Sequence, residues 1–410
     1  MADRSFTTRI VHAGRRFGVE HGGIHKPIHT SVQFGYEKCE DLIGVFQGTL
    51  KNHFNYARQG TPTTAALEAL VTEMEQGRGS SCFATGMAAL SALFLTLLKA
   101  GDHVVSSRYV FGNTNSLFGT LGDLGVAVSK VDAGTAAAVA AALQPNTRMV
   151  FVETIANPGT QVPDLESIGR LCRERGLLYV VDNTVTSPAL FRPRSVGAGL
   201  VINSLTKTIA GHGAALGGAV TDTGEFDWQN YPNIFAGYRQ GDPAGWGLQQ
   251  IRKKGLRDMG GSLSSEQAHQ ISLGAETMSL RVAQSSATAL ALARFLQAQP
   301  AVAAVHYPML ETHPQHALAK QHFAAGSWLL AFELRDAAAM PATLNRLRLP
   351  IKATGLGDTR TLVIPVAPTI FWEMGAAMRA EMGIAQGLVR VSVGLEDAQD
   401  LMDDFEQALG

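Results

Sequence analysis

The 410-residue sequence is poor in charge, poor in cysteine and free of long apolar runs. Each shortage removes a class of explanation. Asp, Glu, Lys and Arg make up 17% of the chain, against roughly 25% in an ordinary soluble domain. With 34 basic and 35 acidic residues the net charge is −1, so there is neither a basic footprint for nucleic acid nor an acidic tail. The cysteines, Cys39, Cys82 and Cys172, are scattered and form no C-x-x-C. That pattern speaks against a disulfide framework or a zinc ribbon and fits a reducing, cytoplasmic setting. The opening hexapeptide Met1-Ala2-Asp3-Arg4-Ser5-Phe6 has no apolar signal core, and the most apolar stretch, Met87 to Leu98, is too short to cross a bilayer. The partners expected are a small-molecule substrate and copies of the chain itself, with no nucleic acid, no membrane and no metal.

What is abundant is apolar side chain, at 46%, and glycine, at 43 residues. A chain of this length has room for two or three domains. From residue 61 helical and strand-like stretches alternate. Helices are expected over Ala65 to Gln76, Met87 to Leu98 and Leu165 to Arg175. Strands are expected at Cys82–Ala84, His103–Ser107, Val126–Val131, Met149–Glu153, Leu178–Asp182, Leu200–Ser204 and Leu216–Val220. Continuously apolar strands between helices predict an α/β fold with a mostly parallel sheet covered on both faces. After Gly255–Gly261, read as a joint, long helical stretches from Ser264 to Gln299 precede strands at Val302–Tyr307, Trp328–Leu334 and Leu388–Val393 and a last helix from Glu396 to Leu409. The expected organisation is an arm over 1–60 with little periodicity, a large domain over 61–256 and a small α+β domain over 257–410.

In open α/β sheets ligands sit beyond the carboxyl ends of the strands. Four such ends carry polar residues. Thr85-Gly86-Met87 leads straight into a helix, where free backbone amides can hold a phosphate. Thr154 to Gly159 follows another strand, and Asp182-Asn183-Thr184 a third. Ser204-Leu205-Thr206-Lys207 follows the fourth. A lysine there, desolvated and flanked by hydroxyls that reach a phosphate, suits a Schiff base to pyridoxal phosphate (PLP). The carboxylate of Asp182 would keep the pyridine nitrogen protonated.

In order and spacing these segments resemble the Cys/Met-metabolism family of PLP enzymes, almost end to end. The resemblance runs through Thr8 to Gly14, Lys26-Pro27-Ile28, Tyr56 to Thr63, Thr85 to Ala89, Glu153 to Pro158, Val181 to Thr184, Asn203 to Lys207 and Val389 to Asp397. It implies the aspartate-aminotransferase-like PLP fold, type I. By the same resemblance Lys207 is the Schiff-base lysine and proton shuttle, and Asp182 the pyridine-nitrogen partner. Gly86, Met87, Ser204 and Thr206 form the phosphate cup, Thr184 joins the cofactor contacts, and Phe111 takes the ring-stacking position. Asn157 lies near the cofactor's phenolic oxygen, and Arg390 clamps the substrate carboxylate. Tyr56 and Arg58 complete the site of a neighbouring subunit, which implies an obligate homodimer, paired into a tetramer.

The departures narrow the reaction. Phe111 stands where the family usually has tyrosine, so it can stack but cannot donate a proton, which leaves Tyr56 from a neighbouring chain or Lys207 itself as the catalytic acid, and Asn113 stands where methionine γ-lyases carry cysteine. Leu356 to Thr361 resembles succinylhomoserine sulfhydrylases, while Gly224 to Trp228, Arg257 to Gly260 and Gly274 to Arg281 resemble acetylhomoserine sulfhydrylases. Thr61 replaces the usual Asn before Pro62, and Gly355 a common Ser or Asn. The expected activity is γ-replacement on an O-acyl-L-homoserine with sulfide or a thiol. Cystathionine or methionine γ-lyase elimination is the near alternative, and a non-catalytic dinucleotide-binding or regulatory protein the distant one. Gly211 to Gly217 has one residue too many for a dinucleotide fingerprint and precedes a strand. His313-Pro314-Gln315-His316 reads as a solvated helix start.

Overall fold

The computed structural model describes residues 4–14 and 20–410. The start of the opening hexapeptide and positions 15–19 of the arm lie outside the described residues. Two sheets organise the chain. The larger contains β1 (Gly79–Phe83), β2 (His103–Ser107), β3 (Ala127–Val131), β4 (Thr147–Glu153), β5 (Leu178–Asp182), β6 (Leu200–Asn203) and β7 (Gly218–Asp222), in the order β1-β7-β6-β5-β4-β2-β3. β7 runs antiparallel to both of its neighbours, while β6-β5-β4-β2-β3 are parallel. The smaller contains β8 (Val302–His306), β9 (Leu329–Leu334), β10 (Ile351–Lys352), β11 (Leu362–Pro365) and β12 (Leu388–Ser392), in the order β10-β11-β12-β9-β8. The expected α/β architecture of a mostly parallel large sheet with a smaller second sheet is what forms.

Alternation along the parallel strands explains why both faces are covered. Val150, Val152, Val181 and Val201 point into one core cluster, and Met149, Phe151, Val180 and Ile202 into another on the opposite face. A side chain period of two places neighbours on opposite faces, so a strand with cores on both sides must be apolar throughout. Phe94, Phe118 and Phe151 pack with ring centroids 5.4 to 5.9 Å apart, and each fully buried side chain of this size is worth roughly 1.5–3 kcal/mol. The helix Gly86–Leu97 is nearly all apolar because it is buried between the sheet and its neighbours.

Several expectations are corrected. The arm is not irregular throughout, because helices form at Phe6–Ala13 and Cys39–Gln47. The first docks Ile10 and Ala13 into the large core. The second leaves Leu42, Ile43 and Phe46 exposed. The stretch Gly255–Gly261, read as a joint, begins inside a helix: the backbone is helical, with π-type bonding, over Ile251–Asp258. Gly255 is small because an added Cβ would lie 2.6 Å from that of Ala92, so it serves close helix packing. The long helical stretches expected from Ser264 to Gln299 do form, as Ser265–Glu276 and Met278–Gln297. Strands β10 and β11 escaped the pattern reading because they are two and four residues long. His313 is buried, bonded to Thr160 Oγ1 at 3.3 Å, and burial pushes its imidazole down to about 4; the helix starts only at His316. Among the described residues no helix is long and apolar enough to cross a membrane.

Candidate active site

The carboxyl ends of β4, β5 and β6 and the turn after β1 converge on one cavity of about 440 Å³, closed on its far side by the small sheet. Local sequence explains each contribution. Thr85 caps the helix Gly86–Leu97, its hydroxyl accepting the Ala88 amide at 3.0 Å. The amides of Gly86 and Met87 belong to the first helical turn and have no carbonyl partner within the helix. Free amides at a helix N-terminus favour a bound anion. Glycine at 86 leaves room for Ser204, since an added Cβ would press on its side chain at 3.0 Å from Cβ and 3.1 Å from Oγ.

At the end of β6 the Ser204 amide donates to Thr184 Oγ1 at 2.8 Å. Thr206 Oγ1 donates to the Gly217 carbonyl at 3.2 Å and accepts the Gly217 amide at 3.0 Å. These bonds lock the strand end and β7's approach to each other. Lys207 follows, half-buried, and burial, aided by the nearby Arg390 charge, pushes its amine below the usual lysine range. Next along the sheet, Asp182 Oδ1 accepts the Thr184 amide at 2.9 Å. Glu153 is paired in register with Asp182 on β4 and accepts the Phe111 amide at 2.6 Å. Burial raises both carboxyls, and for Glu153 the neighbouring Asp182 adds to it.

Arg390 crosses from β12. It is 2% exposed. Its Nη1 donates to Asn157 Oδ1 at 3.3 Å and its Nη2 to the carbonyls of Thr354 at 2.8 Å and Gly355 at 3.1 Å. Burial pulls the guanidinium down to about 10. Its Nε is buried and without a hydrogen-bond partner. Buried polar groups are almost always paired, so a guanidinium held by neutral oxygens with its Nε–H unpaired is suited to a carboxylate.

Of the residues singled out in the sequence, Gly86, Met87, Phe111, Asn157, Asp182, Thr184, Ser204, Thr206, Lys207 and Arg390 all line this cavity. Tyr56 and Arg58 do not line it. Tyr56 is 39% exposed and pairs with Gln33 in an isolated bridge, and the Arg58 guanidinium lies 5.5 Å from the Tyr56 ring and bonds to the Arg257 carbonyl. Thr61 caps the helix Pro62–Glu75 rather than entering the cavity. At Gly355 the backbone carbonyl takes up the contact to Arg390.

Other participants escaped sequence reasoning. Leu216 and Ile370 line the cavity from loops without a motif. Below it, Glu75 is wholly buried and its Oε1 accepts Asn183 Nδ2 at 2.9 Å and Asn203 Nδ2 at 2.6 Å. These two asparagines adjoin Asp182 and Ser204, so one carboxyl braces two strand ends. Burial pushes Glu75 up to about 7. The only signal was two Asn residues at the ends of apolar strands, each needing an acceptor.

Comparison with known proteins gives the family. The family model for Cys/Met metabolism PLP-dependent enzymes matches residues 7–410. The chain is similar to an L-methionine γ-lyase of Pseudomonas putida, 35% identical with 98% of this chain and 97% of that one covered. It is similar to a homocysteine synthase of Schizosaccharomyces pombe, 33% identical over 98% of both. Among solved structures, a Campylobacter jejuni protein assigned as an O-acetylhomoserine (thiol)-lyase superposes with a TM-score of 0.93 at 27% identity, covering 99% of this chain and 100% of that one. That protein carries an N'-pyridoxyl-lysine-5'-monophosphate.

Proposed function

Because the chain belongs to the Cys/Met metabolism family of PLP-dependent enzymes, we propose that it catalyses γ-replacement on an O-acyl-L-homoserine, with hydrosulfide or a small thiol as the incoming group. The cavity fits the cofactor: the free amides of a helix N-terminus beside the Ser204 hydroxyl make a phosphate cradle, which a side chain at position 86 would fill. Bound PLP supplies an electron sink for charge that develops on the substrate's carbons.

This chain's residues would do the rest. Gly86, Met87, Ser204 and Thr206 hold the phosphate. Asp182 holds a proton at the pyridine nitrogen, and that cation in turn favours the ionised form of a carboxyl that burial pushes up to about 6. Lys207 anchors the cofactor and afterwards carries protons from Cα and then Cβ. Its depressed amine pKa leaves more of the free base near neutral pH. Asn157 and Arg390 orient the substrate, with the orphan Nε of Arg390 donating to the α-carboxylate. The Cγ–O bond breaks, its electron pair leaving on the acyl carboxylate, and hydrosulfide supplies the pair for the new C–S bond.

The observation that carries the choice of substrate is Phe111. It lines the cavity, pinned through its amide to Glu153, and has no proton to give. A carboxylate leaves readily without an acid, whereas a thiolate from methionine or cystathionine benefits from one. The homocysteine synthase relative and the C. jejuni neighbour support the same choice. Elimination from thioethers is the second reading, supported by the methionine γ-lyase relative. Tyr56 and Arg58, outside the cavity of their own chain, would complete the phosphate site of a second copy.

Supplying O-acetyl- and O-succinyl-L-homoserine with sulfide or cysteine, and separately methionine and cystathionine, tests the reading. Homocysteine or cystathionine formed from an acyl ester is expected to outpace release of 2-oxobutyrate from the thioethers; the reverse order would overturn it. Mixing Arg58→Ala chains with Lys207→Ala chains tests the shared site, with activity recovered in hybrid dimers as the expected result.

A further inference from the structure

Arg281 is a cation at 9% exposure, and its partners are all neutral oxygens. Its Nε donates to Thr277 Oγ1 at 3.1 Å, its Nη1 to the Thr208 carbonyl at 2.8 Å, and its Nη2 to the carbonyls of Ile209 at 3.3 Å and Gly274 at 2.5 Å. A buried charge without a counter-ion is unfavourable unless its hydrogen bonds are well satisfied. Here they gather the carbonyls of the two residues that follow Lys207 and tie them to the end of the helix Ser265–Glu276.

The same turn is gripped at glycines. At Gly211, φ +78°, an added Cβ would lie 1.8 Å from Arg281 Nη1. At Gly274 it would lie 2.0 Å from the Ala210 carbonyl oxygen. At Gly357, φ +69°, it would lie 2.7 Å from the Thr208 amide nitrogen. The Gly357 amide also donates to Ser392 Oγ at 2.9 Å, two residues beyond Arg390 on β12.

We propose that Arg281 is a positioning residue for Lys207: by fixing the turn Thr208–Gly211 it sets the direction in which the lysine side chain enters the cavity, without lining that cavity itself. This rests on the reading of Lys207 as the cofactor's anchor. An arginine that served stability alone would lower the unfolding temperature when replaced and leave the folded enzyme's cofactor spectrum unchanged.

The experiment uses the PLP-loaded enzyme and its Arg281→Met and Arg281→Lys variants, with the visible absorbance of the cofactor titrated against pH and steady-state kinetics run on an O-acyl-homoserine. Arg281→Met is expected to move the midpoint of the absorbance transition by about one pH unit, a tenfold change in the protonation equilibrium. Its kcat should fall about 100-fold, the usual cost of an ångström-scale misplacement, with KM within about threefold of wild type. Arg281→Lys should recover part of both. A folded Arg281→Met enzyme with the wild-type midpoint and kcat overturns the proposal. If that variant does not fold, Gly211→Ala takes its place, since its Cβ displaces the guanidinium while the charge remains; a wild-type spectrum there overturns the proposal equally. Borohydride reduction of wild type separates the two levels. A label on any residue but Lys207 defeats the reading of Lys207, whereas a label on Lys207 with an unmoved spectrum in the variants defeats only the role of Arg281.

Discussion

The two walls of the cavity are built on different terms. The large-sheet wall is closed by its own bonds: Thr184 to Asp182, Ser204 to Thr184, Gly217 to Thr206, Phe111 to Glu153, with Glu75 beneath holding Asn183 and Asn203. The small-sheet wall offers one guanidinium on β12, steadied by Asn157 and two carbonyls, with an N–H left over. One wall is preorganised before any ligand arrives. The other keeps a valence open and is completed by what it binds.

Four substitutions test that contrast, in descending size of effect. Lys207→Ala should lower turnover by about 10⁴-fold, the upper range for removing a positioned acid or base, and abolish borohydride-fixed cofactor, as read by intact mass. Arg390→Met removes the open valence. It should lower kcat/KM by about 10³-fold, chiefly through KM, because a substrate carboxylate would be left buried and unpaired; an unchanged KM would mean that the small-sheet wall is not where the carboxylate binds. Glu75→Gln tests the closed wall through stability. With its folded pKa raised to about 7 from the ordinary 4.5, Glu75 holds a proton that the unfolded chain releases, so native stability falls as pH rises through that window. The glutamine keeps an acceptor for Asn183 and Asn203 and has no proton to lose. Between about pH 4.5 and about pH 8 it should lose about 3 kcal/mol less than wild type in denaturant titrations of the apoprotein. Smallest, Phe111→Tyr returns a proton donor to the large-sheet wall and should raise elimination from cystathionine about tenfold, measured as 2-oxobutyrate release. An unaltered thioether rate would detach the choice of substrate from this residue.

The same contrast governs what could be read from the chain. The large-sheet wall was legible because each part has a local signal: an apolar strand, then a polar residue at its end, as with Asp182 after Leu178–Val181 and Lys207 after Val201–Asn203. The small-sheet wall was legible only through a resemblance. Arg390 sits in a strand whose alternation alone would make it an outward-facing residue, and it is instead 2% exposed. Thr354, Leu356 and Ile370 reach the cavity from loops beside strands too short to show a period. The braces made by Glu75 and Arg281 were out of reach for a different reason: Asn183 and Asn203 lie 108 or more residues from Glu75, and the Thr208 and Ile209 carbonyls about 70 from Arg281, and no periodicity records a contact of that span. Gly255 was read as part of a joint between domains; its smallness also permits a close helix crossing against Ala92, which no local pattern records.

The glycines around the lysine turn also bear on how a map of tolerated substitutions should be read. Gly211, Gly274 and Gly357 come from three separate stretches of the chain, and at each even a methyl group would overlap a neighbouring atom. None of them lines the cavity. Ranking positions by distance from the reacting atoms would therefore file all three as background. A saturation screen scored for growth on sulfide should instead show them as a cluster of intolerant sites encircling Lys207, visible only when the map is folded up.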